Sequence, residues 1–379
     1  MKLHSLILCS LGSLLCALPW NLGAKDLFPL SIPGPGLPLL VEGTVCDSPG
    51  LIAIDTGSSF SSSSHGLESK LQKLTSRKLR EGDGRVGESQ LFSGATLSFG
   101  TYLANDPAYL MDFSQVQMVL GENVTGLLGS SYLANKQIWV HQSAGKLQIS
   151  ENPIPQVTDL EHRGITLQVT IEHQAPHVEA SFGKESVSCL IDSGSDGALT
   201  LQESTFDRLV DEGKIAVKGS IRVAVGDGAT LVPYGRLDHF TFCNFTFENL
   251  VVTRKPNSSS IGLQILSRFI WAIDYPRQKA YFLLDPNFKP LFDLDNGLGA
   301  FLVYLPDGTA KIIQIVKDTP AAGSGLKEGD IIQQLGDLPT GSFSKKAVMQ
   351  LLAANAGKEI TARYLRQNEP REATLSIPK

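Results

Sequence analysis

The chain has 379 residues, and its 33 Lys and Arg against 38 Asp and Glu leave a formal net charge of −5. This acidic balance argues against a protein that binds nucleic acid. Hydrophobic residues make up 42% and charged residues 19%, which is enough apolar material for folded cores. The length predicts about three domains. The many Gly and Pro with few aromatics favour short strands and turns, so the predicted class is mainly β.

Residues 1–24 have the pattern of a signal peptide. Lys2 precedes an apolar stretch from Leu3 to Trp20, and Ala24 offers a small residue for cleavage. We therefore expect an extracytoplasmic protein, periplasmic or secreted, with membrane anchoring as the alternative if the signal is retained. No later segment of the sequence is apolar for long enough to span a bilayer.

Signal removal would leave three cysteines, Cys46, Cys189 and Cys243. An odd number predicts no disulfide framework and at most one bridge. Each cysteine lies in an apolar run typical of a strand, which favours small buried core residues over catalytic nucleophiles.

An internal repeat is the most informative feature of the sequence. Residues 51–58 read Leu-Ile-Ala-Ile-Asp-Thr-Gly-Ser, and residues 188–195 read Ser-Cys-Leu-Ile-Asp-Ser-Gly-Ser. Each segment places an acid at the end of an apolar strand, followed by a hydroxyl residue, a glycine and a serine. Two such matches in the same context are better explained by duplication than by chance.

Further landmarks recur in the same order. Asp-Gly between strands predicts a hairpin turn, and it occurs within Gly82, Asp83, Gly84 and again within Gly226, Asp227, Gly228. Residues 127–146 then align without gaps to residues 260–279. The repeat predicts an N-terminal lobe over 25–155 and a C-terminal lobe over 156–290, with a connector near Glu151 to Asp159.

Secondary structure within the lobes follows from hydrophobic periodicity. Alternation from Ile165 to Ile171 predicts a strand with one buried face. Short helices are expected near Leu67 to Leu74 and near Ser204 to Val210, each soon after an Asp turn.

The paired acids predict a specific chemistry. Two carboxylates a few ångströms apart cannot both ionise cheaply, so they share one proton. The ionised partner can take a proton from water while the other protonates a carbonyl, which is general acid–base hydrolysis of an amide. This route requires no cofactor and no metal. The glycine after each hydroxyl residue permits a tight turn, and nearby hydroxyls can hold the carboxylates in plane.

At these residues the chain resembles the pepsin-like and retropepsin-like aspartic proteases, over roughly residues 37–285. The resemblance implies a two-lobed acid protease β fold, an aspartic endopeptidase activity on polypeptide substrates, and a pair of catalytic acids, Asp55 and Asp192. Both acids belong to one chain, so a dimer is not required. The implied supporting residues are Thr56 and Ser193, which link the two loops, Ser58 and Ser195, which buttress the carboxylates, and Gly57 and Gly194.

The candidate flap departs from the pepsin pattern. Pepsin-like enzymes carry a Tyr-Gly pair on the first-lobe hairpin, whereas the hairpin around Gly82 to Gly87 has none and is glycine-rich, as in retropepsins. The flap and its contacts with substrate are therefore expected to differ from those of pepsin.

From Gly297 onward the pattern changes. The run Gly297, Leu298, Gly299, Ala300 opens a strand, and a helix is predicted from Lys345 to Ala354 because its apolar residues share one face. Residues 297–379 resemble a PDZ domain of the kind attached to bacterial envelope proteases. The resemblance implies that the amides of the Gly-Leu-Gly-Ala run receive a terminal carboxylate and that a peptide adds as a strand beside the helix. The ligand would be a substrate tail or a partner's C-terminus.

Two other functions compete with this interpretation. A serine protease would leave the repeat unexplained, and no His lies in a triad context near Ser193 or Ser195. A catalytically inactive peptide-binding scaffold with a protease-like fold is the alternative from another class, against which the intact Asp and hydroxyl positions argue. His173 and His177 are separated by Pro176, which argues against a helical metal site.

Overall fold

The computed structural model describes residues 27–31, 33–64, 71–80, 86–100, 102–105, 107–225, 228–289 and 297–378. Strands hold 51% and helices 15%, so the mainly β prediction is confirmed. The predicted signal segment 1–24, the turn Gly82, Asp83, Gly84 and the residues Gly226 and Asp227 lie outside the described residues. Within the described ranges, no helix is long and apolar enough to cross a bilayer.

The N-terminal half is built from short strands with two helices. The strands are β1 Leu27–Pro29, β2 Leu40–Val45, β3 Ser48–Ile54, β4 Ser62–Ser64, β5 Gln72–Arg80, β6 Val86–Ser93, β7 Leu97–Phe99, β8 Tyr102–Ala104, β9 Ala108–Met111, β10 Val124–Leu128, β11 Gln137–His141 and β12 Lys146–Ser150. The helices are α1 Ser114–Leu120 and α2 Ser130–Leu133.

The following half has a similar make-up. Its strands are β13 Ile165–Gln168, β14 Thr170–Glu172, β15 Ala175–Phe182, β16 Glu185–Ile191, β17 Leu199–Gln202, β18 Ile215–Val225, β19 Gly228–Phe242, β20 Phe245–Lys255, β21 Ser260–Ile261, β22 Phe269–Asp274 and β23 Lys279–Leu284. Its helices are α3 Pro155–Arg163, α4 Glu203–Asp211 and α5 Leu263–Leu266.

The C-terminal module has its own sheet and its own core. Its elements are β24 Ala300–Tyr304, β25 Ala310–Ile315, α6 Pro320–Gly323, β26 Ile331–Leu335, β27 Leu338–Pro339, α7 Lys345–Ala354, β28 Glu359–Arg366 and β29 Glu369–Ser376. The sheet order is β24-β25-β26-β28-β29, so β24 is an edge strand. Helix α7 has the predicted bounds, and it buries Val348, Leu351 and Leu352 against this sheet.

The two halves share one sheet. Its order is β1-β12-β11-β22-β23-β13, with three strands from each half. The halves meet where β11 pairs antiparallel with β22, from Gln137 opposite Asp274 to Val140 opposite Trp271. Each half also has a large sheet of its own, in the order β5-β6-β9-β4-β10-β3-β2-β7-β8 in one and β14-β15-β16-β21-β17-β20-β19-β18 in the other.

The repeat in the sequence corresponds to a repeat in strand pairing. In the first half β10 runs parallel to β3 and antiparallel to β4. In the second half β21 runs parallel to β16 and antiparallel to β17. Helices α2 and α5 follow β10 and β21 at the positions that the ungapped alignment matches. One continuous core of buried residues spans the two halves.

Two local expectations need correction, and a third is confirmed. The helix near Leu67 to Leu74 is wrong where the structure describes it, because Gln72–Arg80 is a strand paired with β6 and its described side chains are exposed. The predicted connector is partly helical, since α3 starts at Pro155, whose missing N–H suits a first helical turn. Helix α4 is found as predicted.

The cysteines are buried and unbridged, but two of them lie in turns. Cys46 has φ 47° and lies between β2 and β3, and Cys243 has φ 51° and lies between β19 and β20. Each is followed by a second residue with positive φ, which is the backbone of a two-residue hairpin turn. Only Cys189 lies within a strand, β16, as predicted.

Candidate active site

Asp55 and Asp192 hold equivalent positions in the two halves. Asp55 follows β3, and its N–H donates to the carbonyl of Leu128 at 3.0 Å. Asp192 follows β16, and its N–H donates to the carbonyl of Ile261 at the same distance. The backbone of each acid is therefore bonded to the neighbouring parallel strand, at the point where its own strand ends.

The glycines of the two motifs bring the acids together. A Cβ placed on Gly57 would lie 2.4 Å from Oδ1 of Asp192, and a Cβ on Gly194 would lie 2.3 Å from Oδ2 of Asp55. Each carboxylate thus lies against the backbone of the opposite loop, at a distance that a larger residue would not allow.

A reciprocal set of hydrogen bonds joins the two loops behind the carboxylates. The N–H of Thr56 donates to Oγ of Ser193 at 2.9 Å, and the N–H of Ser193 donates to Oγ1 of Thr56 at 3.1 Å. The two hydroxyls donate across the interface, from Thr56 to the carbonyl of Ile191 and from Ser193 to that of Ile54. Both side chains are buried.

Backbone amides hold the carboxylates in orientation. Oδ1 of Asp55 accepts from the N–H groups of Gly57 at 2.8 Å and Ser58 at 3.0 Å. Oδ1 of Asp192 accepts from the N–H of Gly194 at 3.1 Å. The hydroxyl of Ser58 donates instead to the carbonyl of Phe60. Ser58 therefore contacts the carboxylate of Asp55 through its backbone N–H and not through its hydroxyl.

The surroundings of the pair raise both pKa values. Burial, and after it the charge of Asp192, raise the pKa of Asp55 from 3.8 to about 7, against the opposing amides of Gly57 and Ser58. Burial also raises the pKa of Asp192. Because two close carboxylates in a poorly solvated place resist double ionisation, the pair retains a proton well above the ordinary range of Asp.

Three polar neighbours of the pair are not among the predicted site residues. Ser260 hydrogen-bonds Asp192 through its side chain, which lowers the pKa of that acid, and the charge of Lys255 lowers the pKa of both acids. The hydroxyl of Tyr275 lies 3.1 Å from Oγ of Ser130, and that hydroxyl donates to the carbonyl of Thr56. The alignment of the repeats could have pointed to Ser260, because a polar residue there stands at the position that Leu127 holds in the first half.

The candidate flaps are described only at their strands. Strands β5 and β6 pair antiparallel up to Arg80 opposite Val86, and the candidate flap residues Gly82, Asp83 and Gly84 lie outside the described residues. Strands β18 and β19 pair up to Val225 opposite Gly228. The described strands of both pairs are thus long and antiparallel, and the Asp-Gly turns between them stay a prediction.

The grouping of Ser143, His141 and Asp285 lacks the geometry of a serine protease triad. Oγ of Ser143 donates to the carboxylate of Asp285, and Nε2 of His141 lies 3.5 Å from the same oxygen atom. The hydroxyl thus faces the acid and not the imidazole, whereas a triad needs the serine to donate to histidine.

The described ranges also hold no cluster of three or more His, Cys, Asp or Glu residues that could bind a metal.

The Gly-Leu-Gly-Ala run lies at the start of the C-terminal module. Leu298 is buried in the core of this module, and its carbonyl accepts from the N–H of Ala321 at 3.0 Å. Gly299 has φ 70°, and a Cβ on it would lie 2.1 Å from Cβ of Thr319. The carbonyl of Gly299 accepts from the N–H of Val316 at 2.8 Å. The carbonyls of the loop are thus tied into the module, and the backbone requires glycine at 299.

Comparison with known proteins bears on the C-terminal module. Residues 295–377 match the family model described as PDZ domain. No curated protein matches the chain. The matched residues coincide closely with the predicted span of 297–379 and include β24 to β29 and helices α6 and α7. The C-terminal module is therefore a PDZ domain.

Proposed function

We propose that this protein is an exported aspartic endopeptidase in which Asp55 and Asp192 activate a water molecule. The observation that carries the proposal is reciprocal: each carboxylate lies within contact distance of the glycine that follows the other acid. The crossed hydrogen bonds between Thr56 and Ser193 support it, because they hold both acids at one place. The predicted signal peptide favours work outside the cytoplasm.

The reaction would need only the two acids and water. The ionised carboxylate accepts a proton from water as the water oxygen bonds to the peptide carbonyl carbon, and the protonated carboxyl group donates its proton to the carbonyl oxygen. In the second step the carboxyl group that took the water proton gives it to the leaving nitrogen as the C–N bond breaks, and a hydroxyl of the intermediate returns a proton to the other carboxylate. No covalent intermediate forms between enzyme and substrate, and no cofactor takes part.

The raised pKa of Asp55 supports this division of roles. With the pKa of Asp55 raised to about 7, one carboxyl of the pair stays protonated at mildly acidic pH while the other remains ionised. Cleavage should therefore be fastest at acidic pH and should fall as the pH rises through about 7.

The PDZ domain points to peptide or protein binding. We propose more specifically that it captures the C-terminal tail of a substrate or partner, received by the loop Gly297, Leu298, Gly299, Ala300. A PDZ domain binds such tails by strand addition, in which main-chain hydrogen bonds supply affinity. Capture beside a protease would raise the local concentration of the substrate at the cleft.

The first test is cleavage of a mixed peptide library by the purified chain, with the variants Asp55→Asn and Asp192→Asn assayed in parallel. Asp47→Asn is the matched control, because Asp47 has φ 65° in a hairpin turn, where Asn is tolerated equally well. A statine-containing peptide and a serine-directed reagent separate the two protease mechanisms.

We expect cleavage that both dyad variants lose, that Asp47→Asn retains and that the statine peptide blocks. Cleavage that survives both dyad substitutions would refute the aspartic mechanism. A folded parent that cuts nothing from acidic to neutral pH would favour the alternative, an inactive scaffold that binds peptides through its PDZ domain.

A further inference from the structure

The PDZ domain packs on both halves of the preceding chain. Val316 and Phe301 contact an apolar cluster on β18, β19 and β20. Oε1 of Gln314 accepts from the N–H of Arg222 at 2.8 Å, and its Nε2 donates to the carbonyl of Ser220 at 2.7 Å. The side-chain amide of Gln314 thus bonds one backbone N–H and one backbone carbonyl of β18, which fixes the PDZ domain on this strand.

A second contact involves helix α1 of the N-terminal half, which packs against β24 and α7 of the PDZ domain. The helix ends at Gly121 with φ 69°, and a Cβ there would lie 2.9 Å from Cα of Ser344, the residue that caps α7. Met349 of α7 packs against the cluster that contains Phe113 and Leu120 at the two ends of α1.

These two elements of the PDZ domain are the ones that a peptide ligand would use. A peptide adds as a strand to the free edge of a sheet, next to a helix. Strand β24 is an edge strand whose described pairing partner is β25 alone, and helix α7 contacts α1. Lys345 and Met349 are four residues apart and so lie on one face of α7.

We infer that α1 is an internal occupant of the PDZ groove, and that a C-terminal peptide binds only when α1 moves away from β24 and α7. The groove would then be open in only a fraction of molecules, and the apparent affinity for a peptide would be reduced by that fraction. The ligand class is a peptide with a free terminal carboxylate.

Helix α7 also contacts the loop that carries Asp192, and this step rests on the proposed function. Lys345, the first residue of α7, forms an ion pair with Asp196, which lies four residues after Asp192. The charge of Lys345 holds the pKa of Asp196 below its ordinary value. A peptide that separates α7 from α1 would also strain the ion pair between Lys345 and Asp196. Peptide binding would therefore alter a contact of the loop that carries Asp192.

The test uses the full chain and fluorescently labelled short peptides that end in Leu, Val, Phe or Ala with a free carboxylate. Peptides with an amidated C-terminus are the ligand control. Gly121→Asn should push α1 and α7 apart, because Asn tolerates positive φ while its Cβ would overlap Ser344. Gly213→Asn is the matched control, since Gly213 follows α4 with φ 70° and has no atom within 4 Å of the added Cβ.

We expect Gly121→Asn to bind at least one peptide about tenfold or more tightly than the parent does, and Gly213→Asn to bind like the parent. Saturating peptide should speed amide hydrogen exchange in α1 of the parent. If Gly121→Asn fails to fold, Asp196→Asn, which loosens α7 from outside the groove, replaces it with the same direction expected.

Equal affinities in all variants with unchanged exchange in α1 would overturn the inference. Binding of no free-carboxylate peptide to any variant would overturn it as well, because an opened groove should accept one. Peptide binding is measured without cleavage, so a chain that cuts nothing would refute the proposed function and leave this inference to be decided on its own data.

Discussion

Thr56 and Ser193 exchange hydrogen bonds across the boundary between the two halves, each backbone N–H donating to the hydroxyl oxygen of the other residue. They are 137 positions apart in the chain and both are buried. Because each residue directly follows one of the paired acids, this exchange ties together the two loops that carry the acids.

Ser193→Ala should lower the free energy of unfolding by about 1–3 kcal/mol, since it leaves the buried N–H of Thr56 without its acceptor. Urea denaturation followed by tryptophan fluorescence measures the change. Ser76→Ala removes an exposed hydroxyl that bonds Gln90 and serves as the control, with little change expected. Equal midpoints for the two variants would contradict the role assigned to the exchange.

Gly57→Ala and Gly194→Ala should each reduce peptide cleavage by about 100-fold or more, because the new methyl group would displace the opposite carboxylate. Gly323→Ala is the control, as a Cβ there meets no atom within 4 Å. The readout is the rate of library cleavage for folded protein. Full activity in both dyad-loop variants would mean that the acids do not work as a pair.

The stability of the folded chain should depend on pH through Asp55. Its folded pKa is raised from 3.8 to about 7, so between these values the folded state holds a proton that the unfolded state releases. This contribution to stability is fully present below about pH 4 and is lost as the pH rises through about 7.

Asp55→Asn should remove that part of the pH dependence and so gain stability relative to the parent as the pH rises from about 4 to about 8. Unfolding free energies measured over this range for the parent, Asp55→Asn and Asp47→Asn provide the comparison. Parallel curves for the parent and Asp55→Asn would show that Asp55 titrates normally.

Gly299→Ala should destabilise the PDZ domain by more than about 1 kcal/mol, because it combines a positive φ with an overlap on Thr319. Gly325→Ala isolates the backbone effect, since Gly325 has φ 81° but open space around its Cβ position. Limited proteolysis of the C-terminal region compares the two. Equal protection would mean that Thr319 yields easily to the added methyl group.

Much of the candidate site could be read from the sequence because its signals are local and duplicated. Asp55 and Asp192 each end an apolar strand, and a strand end followed by glycine dictates a tight turn wherever it occurs. The matching residues of the ungapped alignment became α2 and α5, each preceded by a glycine in extended conformation, Gly129 and Gly262. Helix α7 could be predicted because its apolar residues share one face.

What could not be predicted depends on contacts distant in the chain. The side chain of Ser260 reaches Asp192 only because β21 lies beside β16, and Tyr275 reaches Ser130 from the other half of the chain. The helix expected near Leu67 to Leu74 overlaps the start of strand β5. The antiparallel pairing of β5 with β6, a contact between distant residues, decides for a strand there.

The sheet that joins the halves has a consequence for folding. In either half alone, β11 or β22 would present a row of unpaired N–H and carbonyl groups along its full length, and such an open edge invites association with other chains. In the intact protein each strand covers the other. A fragment truncated between the halves would therefore be expected to aggregate, and a nascent chain would carry an uncovered edge until the second half had been synthesised and had folded onto the first.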